Sequence, residues 1–150
     1  MILNELKKQS VLNLYAEALQ EDNYPPIAGK ILGLFYISNQ KYFTFEELMH
    51  ELNVSKSAIS KALKLLLEIG EVNYKKVENN KRKRHFYLDI QGNIDRLERL
   101  VNAYHMQTQL LEETLKFRNN NNPALNDFIE TSIKFNNCLL YTSPSPRDLD

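Results

Sequence analysis

Cysteine is all but missing from this 150-residue chain: the only one, Cys138, stands among the last thirteen residues. Disulfides and thiolate metal sites are thereby excluded from everything before it. Glycine and proline are also scarce, at four and five, which argues against an all-β or a disordered chain. The three histidines, His50, His85 and His105, lie far apart and match no metal-binding spacing such as HExxH, so each is read as a packing or surface residue. There is no GxSxG, no phosphate-cradling glycine loop and no cysteine nucleophile in the body of the chain, so nothing favours an enzyme, a metal or a cofactor. Long apolar runs are absent too. The longest, "ILGLFYI" from Ile31 to Ile37, falls far short of the roughly twenty residues a membrane span needs. The opening "MILNELKKQS" lacks the apolar stretch and cleavage site of a signal peptide. A soluble cytoplasmic protein without membrane contact is the simplest expectation.

With 43% hydrophobic residues, the chain suits one compact domain with a real core, extended by a helical appendage. Its 19 basic and 19 acidic residues cancel, but unevenly. Between Val54 and Arg84 lie nine basic residues (Lys56, Lys61, Lys64, Lys75, Lys76, Lys81, Arg82, Lys83 and Arg84) against Glu68, Glu71 and Glu78, a local net of +6 that the rest offsets with −6. A basic segment in an acidic chain is an electrostatic footprint with a location.

Periodicity organises the chain. A first helix is expected over Asn4 to Gln20, with Val11, Leu12, Tyr15 and Leu19 on one face, ended by "EDNYPP" because Pro25 disfavours helical geometry at Tyr24. "PPIAGKILGLFYIS" starts a second helix at once, with Ile27, Ile31, Leu34 and Phe35 in helical period. After an extended piece at Tyr42 and Phe43, "TFEE" supplies a capping box between Thr44 and Glu47. A third helix then spans Phe45 to Leu52 and buries Phe45, Leu48, Met49 and Leu52. Asn53 and Val54 make a tight turn, Ser55 is an N-cap, and a fourth helix from Lys56 to Ile69 ends at Gly70 in a left-handed cap. The unit is a helix-turn-helix. Alternation over Val72–Val77 and His85–Ile90, separated by "ENNKRKR", predicts a two-stranded hairpin with a basic tip. A long helix of about 24 residues follows, with Ile94, Leu97, Val101, Tyr104, Thr108, Leu111 and Leu115 at heptad positions. "RNNNNP" breaks it, and Asn122 with Pro123 opens a last helix. The fold class is mainly α with a small β-hairpin wing.

The fourth helix carries the chemistry. Ile59, Ala62, Leu63, Leu66 and Leu67 fill one face, while Lys56, Ser57, Ser60, Lys61 and Lys64 share the other. A helix entering a major groove needs cations for phosphates and unbulky donors for base edges. In isolation a solvated helix face is the commoner account of such a surface; its place after a tight turn and before a basic hairpin decides for duplex DNA. Tyr15, Tyr24 and Tyr104 are candidates for lining an effector pocket, although core packing is the simpler account.

The stretches "PPIAGKILGLF", "TFEELMHELNVSKSAISKALKLLLEIGEV" and "NKRKRHFYLD", in this order and spacing, resemble MarR-type winged-helix regulators, and more narrowly their GbsR-like branch. The resemblance covers residues about 24 to 90, nearly half of the chain. It implies a homodimer whose terminal helices pair, two lobes on a roughly palindromic operator, a lean towards repression and a small-molecule effector. By position, Ser55, Lys56, Ser57, Ser60, Lys61 and Lys64 would lie on or at the start of the recognition helix, with Arg82 as the wing arginine and Lys81, Lys83 and Arg84 beside it. Relatives often have an acid before that arginine, where Lys81 stands here, which implies looser and less selective phosphate binding. The implied organisation is an N-terminal dimerisation helix over 1–22, a winged helix-turn-helix over 23–91 and dimerisation helices over 92–137. The alternative is a winged helix used for protein association, or a nucleoid-associated module without ligand control. A pure adaptor would have no need for an acid-free basic face.

The final "CLLYTSPSPRDLD", Cys138 to Asp150, has no helical period and resembles an in-frame translation of a transposon-end sequencing adapter. The expectation is that the natural gene continues past Asn137. Removing the segment's one arginine and two aspartates from the 19 and 19 of the whole leaves 18 basic against 17 acidic residues.

Overall fold

The computed structural model describes residues 2–77 and 80–142, the side chains of Asn80, Lys81 and Thr142 excepted. The order is α1 (Ile2–Gln20), α2 (Pro26–Ile37), β1 (Phe43–Thr44), α3 (Phe45–Leu52), α4 (Lys56–Glu68), β2 (Val72–Val77), β3 (Asn80–Leu88), α5 (Ile90–Phe117) and α6 (Pro123–Thr142). The fold is mainly α with one small antiparallel sheet. Two compact units divide between Gly92 and Asn93, inside α5.

The first unit is built on one apolar cluster. Leu12 of α1, Ile31 and Leu34 of α2, Leu48 of α3, Ile59 and Leu66 of α4, Val72 of β2 and Phe86 of β3 are all essentially inaccessible to solvent. Each element from α1 to β3 thus gives at least one side chain to the same interior, β1 through Phe43, which meets Phe35 edge-on at 5.5 Å. The helix ends follow the local chemistry. Asn23 takes a left-handed φ of 65° after α1, and the N–H of Tyr24 returns to the Leu19 carbonyl at 3.1 Å. Pro26 occupies the first turn of α2. Gly70, at φ 81°, closes α4 while the N–H of Glu71 reaches the Leu66 carbonyl at 3.1 Å.

The sheet departs from expectation in three respects. It has three strands in the order β1-β3-β2, because Phe43 and Thr44 pair with Phe86 and His85. The second wing strand starts at Asn80 rather than His85, so Lys81 to Arg84 belong to β3 and not to a tip. Lys76 pairs with Arg84 and Val77 with Asn80 across a register irregularity; backbone pairing alone carries the strand here, where the exposed residues need no apolar face. That strand ends at Leu88, not Ile90. Asp89 caps α5 instead, its Oδ1 accepting from the N–H of Gly92 at 2.9 Å, and its own N–H donates to the Glu71 carbonyl at 2.9 Å. A Cβ on Gly92 would collide with the Gly70 carbonyl oxygen, so α5 starts hard against the turn that follows α4.

In the second unit, Thr108 is the buried heptad residue of α5 and its hydroxyl donates to the Tyr104 carbonyl at 2.8 Å. Ile94, Tyr104, Leu111 and Leu115 are half-buried, whereas Leu97 and Val101 are 43% and 38% exposed. The expected break after α5 is present. Asn122 Oδ1 accepts from the N–H of Leu125 at 3.2 Å, and the Asn126 amide links Arg118 Nε at 2.6 Å to the Asn119 carbonyl at 3.0 Å. Helix α6 runs to Thr142, past the junction expected at Asn137, and brings the Tyr141 ring edge-on to His105 at 6.4 Å. Residues 143–150 lie outside the described residues.

Candidate nucleic-acid interface

The helix-turn-helix is fixed by side-chain caps at both starts. Thr44 Oγ1 accepts from the N–H of Glu47 at 3.2 Å and donates to Glu47 Oε1 at 3.0 Å, while Oε1 also accepts from the N–H of Thr44 at 3.4 Å. The Gln40 amide donates to the other carboxylate oxygen. Burial pushes the Glu47 carboxyl up, but the bonds from Gln40 and Thr44, with Lys83 nearby, outweigh it and hold the group below its usual range. Asn53 ends α3 in left-handed geometry, φ 52° and ψ 52°, with its N–H directed at the His50 carbonyl at 3.3 Å. Two residues later Ser55 Oγ accepts from the N–H of Ala58 at 3.3 Å and starts α4.

Ile59, Ala62, Leu63 and Leu66 anchor α4 in the core, and Ser55, Lys56, Ser57, Ser60, Lys61 and Lys64 are all exposed. Only part of that set faces the wing. Lys56, Ser60 and Lys64, one turn apart on the helix, line a groove of about 600 Å³ together with Arg82, Lys83 and Arg84 of β3. Phe45, Leu63, Leu67 and Phe86 give it apolar walls, and Glu46 is the one acid among the described residues of its lining. Ser57 and Lys61 sit on the other exposed flank of α4, where Ser57 Oγ lies 3.2 Å from Ser55 Oγ. The side chain of Lys81 lies outside the described residues.

Several positioning residues carry no signal in the sequence pattern. The Arg84 guanidinium lies over the Tyr74 ring at 4.8 Å, and Tyr74 in turn leans on buried Phe86 at 5.8 Å. Across the sheet, Lys75 Nζ stands 4.0 Å from the centre of the Tyr42 ring and Lys41 Nζ 5.3 Å from it, with Tyr87 edge-on at 5.7 Å. The nearest thing to a signal for these pairs is the alternation itself, which places Tyr74 and Lys75 on opposite faces but does not say what each will meet.

Of the three tyrosines considered for an effector pocket, Tyr15 stacks on Tyr36 at 5.8 Å, and the buried Tyr24 hydroxyl donates to Glu71 Oε1 at 2.7 Å. Neither lines the groove or a second cavity of about 310 Å³ bounded by Lys8, Leu34, Ile37, Ser38, Gln40, Phe43 and Glu51, in which Lys8 and Glu51 form an ion pair. Tyr104 is half-buried on α5. Among the described residues no group of three or more His, Cys, Asp or Glu could hold a metal ion, and no helix is long and apolar enough to cross a membrane.

No curated protein matches the sequence. Among solved structures, this chain is similar to the E.coli MarR wild type in its apo form, at 26% identity over 59% of this chain and 62% of that one, with a TM-score of 0.44. It is similar to a MarR transcriptional regulator from Methanosarcina mazei Go1 at 13% identity, over 95% and 81% of the two chains, with a TM-score of 0.45. A crystal structure of a transcriptional regulator matches over 91% of this chain and 92% of that chain, at 15% identity and a TM-score of 0.62, which shows a shared fold. Residues 30–85, the segment from α2 through the helix-turn-helix to the wing, match the family model of an HTH domain.

Proposed function

We propose that this chain is a sequence-specific, duplex-DNA-binding transcriptional regulator of the MarR type, in its GbsR-like branch. In this reading α4 enters the major groove and the wing holds the adjoining backbone. The observation that carries it is the groove in which Lys56, Ser60 and Lys64 of α4 face Arg82, Lys83 and Arg84 of β3. Cations from two separate elements converge on one concave surface, which suits a curved row of phosphates better than a solvated helix face does. Residues 23–91 form the DNA-binding part, and residues 1–22 and 92–137 supply the contacts of a homodimer. The half-open seam of α5 supports that second point, since Leu97 and Val101, together with Leu100 at 49% and Leu110 at 68% exposure, leave apolar surface for a partner copy. A cytoplasmic repressor controlled by a small-molecule effector completes the proposal. Residues 138–150 are taken as adapter-derived and have no part in it.

The test is duplex binding across a salt series. Replacing Lys81, Arg82, Lys83 and Arg84 by Ala should weaken binding to every sequence and reduce the slope of log affinity against log salt by about 0.9 for each phosphate no longer neutralised. Ser57→Ala and Lys61→Ala should instead change sequence preference more than total affinity. A folded wing variant with unchanged affinity and slope would refute the proposal.

A further inference from the structure

The wing fixes cations on both of its faces, not only on the one that looks into the groove. Tyr74 and Lys75 are neighbours on β2 and point to opposite sides of the sheet. On the inner side Arg84 rests on Tyr74. On the outer side Lys75 rests on Tyr42, and Lys41 approaches the same ring. The position of Tyr42 is itself constrained. Its carbonyl accepts from the Gln40 amide at 2.8 Å, and its ring packs against Tyr87 of β3. Lys41 and Lys75 are exposed, and Tyr42 is half-buried. Two ammonium groups and a phenol hydroxyl are therefore held close together where the segment that leads into β1 crosses β2 and β3.

We propose that Lys41, Tyr42 and Lys75 form a phosphate subsite on the outer face of the wing, which takes a backbone phosphate of the DNA strand opposite the one held on the groove side. The inference rests on the duplex-binding reading above and extends it to residues outside the groove. Chemistry favours a phosphate. Each ammonium has three donors, of which the Tyr42 ring and phenol oxygen occupy only part, leaving the remainder for anionic oxygens. Ring contact also restricts long lysine side chains before binding, which lowers the ordering cost. Hydrogen bonding with Lys75, opposed by partial burial and aided by Lys41, lowers the Tyr42 pKa, and a more acidic phenol is a stronger donor. A blade with fixed cations on both faces is matched by the two phosphate rows that wall one groove of a duplex. A single row would satisfy only one face.

The experiment uses the full chain, a duplex it binds and phosphate-ethylation interference alongside a salt series. Lys41→Gln with Lys75→Gln removes two surface charges without touching the core. Its salt slope should fall by about 0.9, the value for one phosphate, so between 50 and 200 mM salt it should lose roughly 3.5-fold less affinity than the wild type does. Interference should vanish at phosphates of one strand only, while those protected through Arg82 to Arg84 remain on the other. Tyr42→Leu should lower affinity several-fold with nearly unchanged slope, because the charges stay but lose their platform, whereas Tyr42→Phe should keep most of the affinity. Unchanged slope and interference in the double variant, with the Arg82–Arg84 variant still responding, would overturn the subsite alone. Equal losses in the Phe and Leu variants would overturn the role of the ring. If neither face responded, the duplex-binding reading would fall with it.

Discussion

The turn between α3 and α4 hangs on Asn53, and a substitution series there tests whether backbone geometry sets the stability of the first unit. At φ 52° and ψ 52° the residue lies in the left-handed region, and its N–H is committed to the His50 carbonyl, so the backbone cannot relax without losing that bond. A Cβ in this conformation costs an ordinary L-residue about 1–2 kcal/mol, which Asn largely escapes through local hydrogen bonding. Asn53→Gly should therefore fall within about 0.5 kcal/mol of the wild type, its freer unfolded chain offsetting the relieved strain. Asn53→Ala should cost about 1 kcal/mol, and the branched Asn53→Val about 2 kcal/mol. For a cooperative unit of this size, 1 kcal/mol shifts Tm by roughly 4–8 °C. Thermal melts followed by circular dichroism, checked by urea titration, read the series directly. Because Val54 and Ser55 follow at once, strain not expressed as lost stability should turn α4, and under the proposed duplex-binding role the Val variant should then lose discrimination between specific and random duplex. An Ala variant as stable as the wild type, or a Val variant above Ala, would refute the reasoning.

The folded Glu47 carboxyl is held below its usual range, so its contribution is fully present above the unfolded carboxylate pKa of about 4.3 and is lost as pH falls through the folded value. Glu47→Gln keeps a capping-box residue at this position but loses the charge at the helix N-terminus, so it should be destabilised by about 0.3–1 kcal/mol near neutrality, with the difference from wild type shrinking in acid melts; a gap that widened on acidification would contradict this assignment. Tyr24→Phe removes the hydroxyl that donates to buried Glu71 and should cost about 1–3 kcal/mol in denaturant titration, a loss that Tyr15→Phe on the stacked surface pair should not reproduce.

The helix-turn-helix is legible in the sequence because its signals are local. The Thr44–Glu47 box, Asn53, Ser55 and Gly70 each act through their own backbone neighbourhood, and all four stand where the sequence places them. The wing is harder because its signals are not local. Lys81 to Arg84 have no apolar alternation, so nothing nearby in the chain distinguishes a strand from a loop, and only pairing with β2 extends β3 to Asn80. Two residues are too few to show a period, which hides β1. Ile90 fits the strand alternation equally well, yet the carboxylate of Asp89 captures the Gly92 amide and begins a helix there. The basic face of α4 is visible as a face; its division between groove and flank depends on where β3 lies across from it. Tyr42, Tyr74 and Lys75 stay hidden because a cation–π contact across a sheet leaves no spacing in the chain.

Thr44 belongs to two structures at once. It is the last residue of β1, paired with His85 of the wing, and it is the N-cap of α3. Breaking the β1–β3 pairing would displace the hydroxyl that satisfies the Glu47 amide. The first turn of α3 and the middle of β3 therefore open as one cooperative unit. In native-state hydrogen exchange, the amides of Glu47 and His85 should share one opening free energy and one dependence on denaturant, although they are far apart in the chain and belong to a helix and a strand.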